Sequence, residues 1–273
     1  MPIMPDMPDG ATTAPLPPPH WTQDAALALV FLTRLPLPAL GPLDGPLADG
    51  APARAMGWFP LVGALIGLAG GAVFALAALA HLPPLAGALL ALAATVRLTG
   101  GLHEDGAADV ADGFGGGRDR LRKLEIMRDS RVGSYGVLAL VFSVGIRAAA
   151  LAALPVPAAV AALAAAGALS RCGLAALARV LSPARRDGLA AAQGKLAMAT
   201  VLLALVSGIA VAAIALGGPA LPALAAALLA VAAVAALARR QIGGHTGDVF
   251  GAAQQVAEAA VLLTLSALIG AAA

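Results

Sequence analysis

Three aspartates near the middle of the chain have a spacing that could hold a metal ion. Asp105, Asp109 and Asp112 are four and three residues apart, so in a helix their carboxylates lie on one face. Like charges on one face destabilise a helix unless a cation neutralises them. Mg²⁺, which binds through a few carboxylates together with substrate phosphates, is the ion that this row predicts. Glu104 would flank the row as a further candidate ligand, and a solvated acidic turn is the alternative interpretation.

A second group of candidate residues lies near the C-terminus. Two arginines, Arg239 and Arg240, are followed by a turn that contains Gly243, Gly244, His245, Thr246, Gly247 and Asp248. A glycine-rich turn that leads into a helix offers backbone amides and the positive end of a helix dipole, which suits a phosphate. Asp248 also has the position of an N-cap for the last helix, and spacing alone favours that role. Together with the acidic row, the turn suggests Mg²⁺-assisted phosphoryl chemistry.

The acidic row opens a long polar connection, residues 103–132, and long connections in a compact fold are usually functional or disordered. Its glycine run, 115–117, could bind a phosphate through backbone amides or simply form a flexible link. Leu121, Leu124 and Met127 recur every three residues and predict a short interfacial helix. Arg122 and Lys123 would then face lipid headgroups or water.

The composition of the chain requires a membrane around these polar groups. Of its 273 residues, 60% are hydrophobic and only 12% are charged, and the mean hydropathy is +0.89. A soluble domain carries about a quarter charged residues. Lipid offers no hydrogen-bond partners, so each spanning segment must satisfy its own backbone groups, as a helix does. The apolar runs do not show the alternation of apolar and polar residues that is typical of strands, so the sequence predicts an all-α, polytopic membrane helix bundle. About seven transmembrane helices are expected, at roughly 57–80, 83–102, 133–154, 156–180, 196–217, 219–238 and 252–272.

The N-terminal region is expected to differ from the bundle. Residues 1–20 lack the basic start and apolar middle of a secretory signal and are predicted to be a disordered tail. Residues 24–40 are apolar but are broken by Arg34, Pro36 and Pro38, which favours an interfacial or re-entrant helix over a span. Residues 21–273 are predicted to form a single integral membrane catalytic domain. The abundant small residues predict close helix packing.

The distribution of basic residues orients the bundle. The chain has 17 Lys and Arg residues, and 14 of them fall at one end of the predicted spans: Arg54, Arg97, Arg118, Arg120, Arg122, Lys123, Arg128, Arg131, Arg179, Arg185, Arg186, Lys195, Arg239 and Arg240. By the positive-inside rule this end is cytoplasmic, so both candidate groups face the cytoplasm. The net charge of +2 is too small to indicate a nucleic acid partner. The sequence is compatible with a homo-oligomer but does not fix the number of subunits.

Three segments of the chain have distinctive patterns: Gly100-Gly101-Leu102-His103-Glu104-Asp105-Gly106-x-Ala108-Asp109-x-x-Asp112-Gly113, Leu124-Glu125-Ile126-Met127-Arg128-Asp129-Ser130-Arg131-x-Gly133 and Gly243-Gly244-x-Thr246-Gly247-Asp248-x-x-Gly251-Ala252. Together these segments resemble the cobalamin synthase family, whose members are adenosylcobinamide-GDP ribazoletransferases. The N-terminal strings 31–36 and 57–60 are similar to the same family. The resemblance covers about residues 25–270, in order.

The resemblance implies a reaction at the cytoplasmic face of a bacterial inner membrane. An α-ribazole nucleoside, or its 5′-phosphate, would be joined to adenosylcobinamide-GDP with release of GMP, and Mg²⁺ would be required. By match to the family's first motif, Asp105, Asp109 and Asp112 would be metal ligands and His103 the base for the attacking hydroxyl. Asp248 would complete the metal shell or bind a ribose hydroxyl. His245 stands at a position that the motif leaves open.

The second motif contributes the remaining candidates. Asp129, Ser130 and Arg131 match it, and Arg131 could hold a phosphate in a bidentate manner. Arg147 and Arg171, within predicted helices, are expected to pair with polar groups inside the bundle. A CDP-alcohol phosphotransferase of phospholipid synthesis is the alternative function, but Asp109 stands where that family expects arginine, and its later acidic positions are missing. A transporter would carry ionisable residues in mid-membrane, whereas here nearly all lie at one interface.

Overall fold

The computed structural model describes residues 21–35, 47–185 and 196–270, and within these ranges the chain is helical and contains no strand. The predicted tail 1–20 and the end of the 24–40 segment lie outside the described residues. The helices are α1 (Trp21–Leu32), α2 (Ala51–Ala55), α3 (Phe59–Leu79), α4 (Pro84–Thr99), α5 (Leu102–Gly116), α6 (Arg120–Ile126), α7 (Ser134–Ala152), α8 (Val156–Val180), α9 (Met198–Leu216), α10 (Ala220–Ile242) and α11 (Gly247–Ile269). A 3₁₀ turn, Met56–Trp58, joins α2 to α3. The all-α prediction is confirmed.

Six helical segments of the described chain are long and apolar enough to cross a membrane. They are Ala51–Leu79, which includes α2 and α3, and the helices α7, α8, α9, α10 and α11. The seventh predicted span, 83–102, is different, because α4 has only 16 residues and α5 continues from it at an angle of 93°. The polytopic bundle is therefore confirmed, with α4 and α5 as a bent pair at the position of one span.

Two predicted boundaries were too narrow. Helix α10 runs to Ile242 rather than to 238, and α11 begins at Gly247 rather than at 252. Both extensions are polar helix ends that hydropathy does not detect. Arg239 and Arg240 lie in the last turn of α10, where the negative end of the helix dipole favours cations. The third sequence motif is therefore a short turn between two helices.

Helix α8 is the centre of the bundle, and every residue from Ala162 to Ala175 is buried. It packs against α3, α9, α10 and α11. The crossing with α3 depends on glycine, because a Cβ at Gly63 would lie 2.1 Å from the Gly167 carbonyl oxygen and one at Gly67 would lie 2.1 Å from that of Leu163. The close packing predicted from small residues is thus present.

Helix α1 is too short to cross a bilayer. Its 12 residues span about 18 Å, against about 30 Å of hydrocarbon. It is held beside α2 by Asp24, whose carboxylate accepts hydrogen bonds from Arg54 Nε at 2.9 Å and Nη2 at 3.1 Å. Phe31 also stacks on Phe59, with ring centroids 5.7 Å apart. These contacts place α1 against the same end of the bundle as α5.

Candidate active site

Helix α5 carries the predicted acidic row. It leaves α4 through Gly100 and Gly101, whose φ angles of 69° and 71° are left-handed and favour glycine. Asp105, Asp109 and Asp112 occupy its successive turns, the first exposed, the second half-buried and the third buried. Residues 103–116, predicted as the start of a long connection, therefore belong to a helix that packs against α7 and α11.

Asp112 connects the acidic helix to α7. One carboxylate oxygen accepts a hydrogen bond from the Gly133 amide at 2.7 Å, and the other accepts one from the Gly136 amide at 2.9 Å. These amides belong to the first turn of α7, where the helix dipole also favours a negative charge. A Cβ at Gly133 or Gly136 would come within 2.5 Å of the carboxylate. Asp112 therefore fixes the position of α5 against α7. Only the lone pairs that these two hydrogen bonds leave free on its carboxylate could bind a metal.

Asp248 approaches the row from α11. The N-cap of α11 is Thr246, whose hydroxyl accepts a hydrogen bond from the Val249 amide, so the sequence-based preference for Asp248 as the cap was wrong. Asp248 lies in the first turn instead and accepts a hydrogen bond from the Thr246 hydroxyl at 3.1 Å. Gly106 makes the approach possible, because a Cβ there would lie 2.9 Å from the Asp248 Cα and carbonyl oxygen.

The four carboxylates influence one another most strongly at Asp109. Burial, together with the nearby charges of Asp248, Asp105 and Asp112, raises the pKa of Asp109 to about 7, while Arg185 opposes the shift. Such a concentration of negative charge favours either a proton or a cation. All the donors are hard oxygens, which suits Mg²⁺.

The metal ligands are not assembled as a complete cage. Among the described residues, no three acidic, histidine or cysteine side chains are placed to hold one ion together. Mg²⁺ commonly binds through one or two carboxylates and completes its shell with water and substrate phosphates. Asp109, with Asp105 and Asp248 beside it, fits that mode of binding.

Glu104 does not belong to the acidic row. Its Oε1 accepts hydrogen bonds from Gln255 Nε2 at 2.9 Å and from the Arg147 guanidinium at 3.4 and 3.5 Å. One position away from Asp105, its side chain points along another face of α5, toward α7 and α11. Oε1 is thus engaged inside the bundle, while Oε2 is buried without a hydrogen-bond partner among the described residues, and the role of Glu104 as a metal ligand stays a prediction.

A buried polar network lies behind the row and contains Glu104. Arg147, 1% exposed, also donates to Glu258 Oε1 at 3.0 Å, and Gln254 joins Glu258 to Ser170 of α8. Arg171 donates to the Gly167 carbonyl oxygen at 2.9 Å. The prediction that Arg147 and Arg171 each pair with polar groups inside the bundle is confirmed, but these partners could not be named from the sequence.

The second motif forms a surface turn between α6 and α7. Arg131 pairs with Asp129 through Nη2 at 2.7 Å and Nε at 3.0 Å, and its side chain is 87% exposed. The same pairing lowers the pKa of Asp129 to about 2. Ser130, between them, is exposed. The Arg131 guanidinium, which was expected to bind a phosphate, is thus paired with the carboxylate of Asp129. This exposed ion pair contributes little to stability.

The glycines of the third motif shape the backbone. Gly243 ends α10 with a φ of 76°, and a Cβ at Gly244 would lie 2.1 Å from the Ser182 carbonyl oxygen. The His245 amide donates to that oxygen at 3.0 Å, so it is not available to a phosphate. Gly247 is exposed and has open space around it, which leaves the first turn of α11 as the accessible part of the motif.

Two arginines that no motif contains stabilise this turn. Arg120 donates to the carbonyl oxygens of Ile242 at 2.7 Å and Ala184 at 2.9 Å. Arg185 donates to the Leu124 carbonyl oxygen and lies 3.9 Å from Asp248 Oδ2. In the sequence both were only part of the basic excess. Their roles depend on contacts between distant segments.

A cavity of about 220 Å³ opens beside Asp105 and Asp248. His103, which is buried, also lines it. The other walls are mostly apolar and come from α1, the 3₁₀ turn, α3, α8 and α11. The site therefore combines a group of carboxylates whose oxygens suit Mg²⁺, a histidine and a mostly apolar cavity at one end of the bundle.

The sequence as a whole matches a known family. The family profile described as cobalamin-5-phosphate synthase matches residues 24–266. Relatives named adenosylcobinamide-GDP ribazoletransferase include one from Bradyrhizobium diazoefficiens, 48% identical over 89% of this chain and 93% of its own length. Others are from Mesorhizobium japonicum, 48% identical over 89% of this chain and 92% of its own length, and from Azorhizobium caulinodans, 47% identical over 88% and 94%. No solved structure matches the chain. The family resemblance of the three motifs is therefore confirmed, and the chain belongs to the cobalamin-5-phosphate synthase family.

Proposed function

We propose that this protein is a Mg²⁺-dependent adenosylcobinamide-GDP ribazoletransferase of the bacterial inner membrane, with its active site at the cytoplasmic face. It would join adenosylcobinamide-GDP to α-ribazole or to α-ribazole 5′-phosphate and release GMP. The observation that carries this proposal is that Asp105 and Asp248 line one cavity, with Asp109 close enough to interact with both charges, in a chain of this family.

The reaction is a displacement at phosphorus. A hydroxyl of the nucleoside attacks the phosphorus that is bound to the corrinoid, a new P–O bond forms, and the bond to GMP breaks. The hydroxyl proton leaves to a base, and His103 is the candidate because it lines the cavity next to Asp105. The leaving GMP carries the electrons of the broken bond as phosphate charge.

Each carboxylate has a distinct part in this scheme. Asp109, together with one of its neighbours Asp105 and Asp248, would bind Mg²⁺, and water and substrate phosphates would complete the shell. The bound ion would neutralise charge on the pyrophosphate. Asp112 holds α5 on the N-terminus of α7, so that the row keeps its distance from α11. Arg185, 3.9 Å from Asp248, adds positive charge at the edge of the site. Arg131 could exchange its surface partner Asp129 for a substrate phosphate.

The test is a nucleotide analysis with purified protein in detergent. With Mg²⁺, adenosylcobinamide-GDP and α-ribazole 5′-phosphate, the protein should release GMP and form a corrinoid that carries the nucleotide, and chelation with EDTA should stop both. Asp109→Asn, which removes a proposed ligand, serves as the inactive control. Release of CMP from CDP-diacylglycerol without release of GMP would instead indicate phospholipid synthesis and overturn the proposal.

A further inference from the structure

The cavity next to the acidic row has walls suited to a flat aromatic group. Phe31, Phe59 and Phe250 line it together with Met56, Leu102 and Leu174. Phe31 and Phe59 are stacked nearly parallel, with 8° between their planes, and Phe250 is held by a ring contact with His245 at 4.9 Å. Met56 and Leu174 are each 2% exposed, so this part of the wall is fixed by the bundle.

The size of the cavity limits what can occupy it. An apolar cavity of about 150 Å³ binds benzene. A cavity of about 220 Å³ therefore has room for a fused two-ring system but not for a corrin ring with its side chains. The corrinoid must lie outside, at the membrane interface.

The polarity of the cavity walls indicates which of the two bases in the reaction, guanine or the base of α-ribazole, binds there. The side chains that can form hydrogen bonds in the cavity are His103, Asp105 and Asp248. The N–H groups of guanine could pair with a carboxylate, but its carbonyl and ring-nitrogen acceptors would be buried beside carboxylates that cannot donate, at a cost for each. The base of α-ribazole presents mainly carbon and would bury apolar surface without this cost.

We propose that this cavity binds the fused aromatic base of the nucleoside acceptor, with its ribose directed toward Asp105 and Asp248. The inference rests on the proposed function, since it assigns the site of one of that reaction's substrates. It places the attacking hydroxyl beside the carboxylates that hold the metal. It also makes Phe31, Met56 and Leu174 the residues that select the size of the base.

A measurement of α-ribazole binding tests this inference without requiring the reaction to take place. Binding of α-ribazole to the purified, corrinoid-free protein is measured by calorimetry for the wild type and for Phe31→Ala, Phe31→Trp and Leu174→Phe. We expect Phe31→Ala and Leu174→Phe to weaken binding by about tenfold or more, the scale of one lost aromatic or apolar contact, and Phe31→Trp to retain it. Phe142→Ala, which removes a 62% exposed ring from α7, is the matched control and should bind as the wild type does.

Steady-state kinetics provide the second measurement. Phe31→Ala should raise the KM for α-ribazole by about tenfold while the KM for adenosylcobinamide-GDP stays within about twofold, which also shows that the variant is folded. An unchanged KM for α-ribazole would refute the inference. A rise only in the KM for the GDP-activated corrinoid would also refute it and would place part of that substrate in the cavity. Failure of the proposed function has another signature, namely that the wild type neither binds α-ribazole nor releases GMP.

Discussion

The guanidinium of Arg147 lies 3.0 Å from Glu258 inside the bundle, where the arginine side chain is 1% exposed. The same guanidinium reaches Glu104 on α5, so one cation connects α7 to both α11 and the acidic helix. Buried ion pairs are costly to form, and removing one partner leaves an uncompensated charge. Arg147 therefore couples the acidic helix to the two helices that pack against it, and its loss would leave two buried carboxylates without their cation.

Removal of Arg147 is expected to destabilise the protein strongly. Arg147→Met leaves Glu104 and Glu258 without their cation in a buried position, and the free energy of unfolding should fall by about 3–5 kcal/mol. Arg122→Met, which breaks the exposed ion pair with Glu125, should cost less than about 1 kcal/mol. Thermal unfolding in detergent, followed by circular dichroism, compares the two variants, and equal losses would contradict this view of the network.

Asp109 should make the metal-free protein less stable as the pH rises. Its pKa in the folded state is about 7, well above the ordinary value of 3.8, so the folded state holds a proton that the unfolded state has lost. Stability therefore falls between about pH 4 and pH 7 and remains low above pH 7. With EDTA present, the unfolding temperature of Asp109→Asn should fall less than that of the wild type between pH 5.5 and pH 8, and Asp248, whose pKa burial also raises, accounts for part of the remaining fall. Asp49→Asn, at an exposed carboxylate, should retain the wild-type dependence.

Substitution of Asp112 should lower the stability of the protein, whereas substitution of Asp105 should abolish activity without lowering stability. In Asp112→Asn the side-chain nitrogen cannot accept a hydrogen bond, so the Gly133 or the Gly136 amide loses its partner, and stability should fall by about 1–3 kcal/mol. Asp105 is exposed, and Asp105→Asn should abolish GMP release without lowering the unfolding temperature. Both variants are assayed for GMP release and thermal unfolding. A stable Asp112→Asn protein would show that the contact with α7 is unimportant.

The approach of α11 to α5 should be sensitive to a single methyl group. Gly106→Ala introduces a Cβ 2.9 Å from the Asp248 backbone, so the helices must separate and carry Asp248 away from the row. We expect at least a tenfold loss of GMP release at saturating substrate, equivalent to about 1.4 kcal/mol of transition-state stabilisation. Gly145→Ala, at a helical glycine with open space around it, is the matched control and should leave the rate unchanged.

The proposed orientation can be tested with two further glycines. Gly116, at the end of α5, and Gly218, in the turn between α9 and α10, are both exposed and have room for a side chain. The native Cys172 is buried and should not react. An impermeant thiol reagent added to right-side-out vesicles should label Gly218→Cys but not Gly116→Cys, and inverted vesicles should give the reverse. The opposite pattern would place the candidate site outside the cytoplasm.

Much of the site was predictable because local spacing determines it. The separations of Asp105, Asp109 and Asp112 put them on one helical face, and hydropathy located the spans. The bend at Gly100 and Gly101 was not predicted, because a hydropathy window averages over it. The N-cap was assigned to Asp248 instead of Thr246, two residues away, which is within the usual uncertainty of a helix boundary.

What the sequence could not provide is the set of contacts between distant segments. Asp112 binds the Gly133 and Gly136 amides, and Arg185 lies beside Asp248, but no spacing rule connects these residues. Glu104 was grouped with its neighbours in the sequence, although one step along a helix turns a side chain away from the adjacent face. In each case the packing of α5 against α7 and α11 decides the role.

Helix α5 is held on separate sides by Asp112 at α7, by Gly106 at α11 and by Glu104 in the polar network. Two of these supports, α7 and α11, are helices long enough to cross the bilayer, and their tilt adjusts to the thickness of its hydrocarbon layer. A change of tilt moves the N-terminal turn of each helix, and with it the distance between Asp248 and Asp109. We therefore expect the affinity of the proposed Mg²⁺ site to depend on the thickness of the bilayer around the protein.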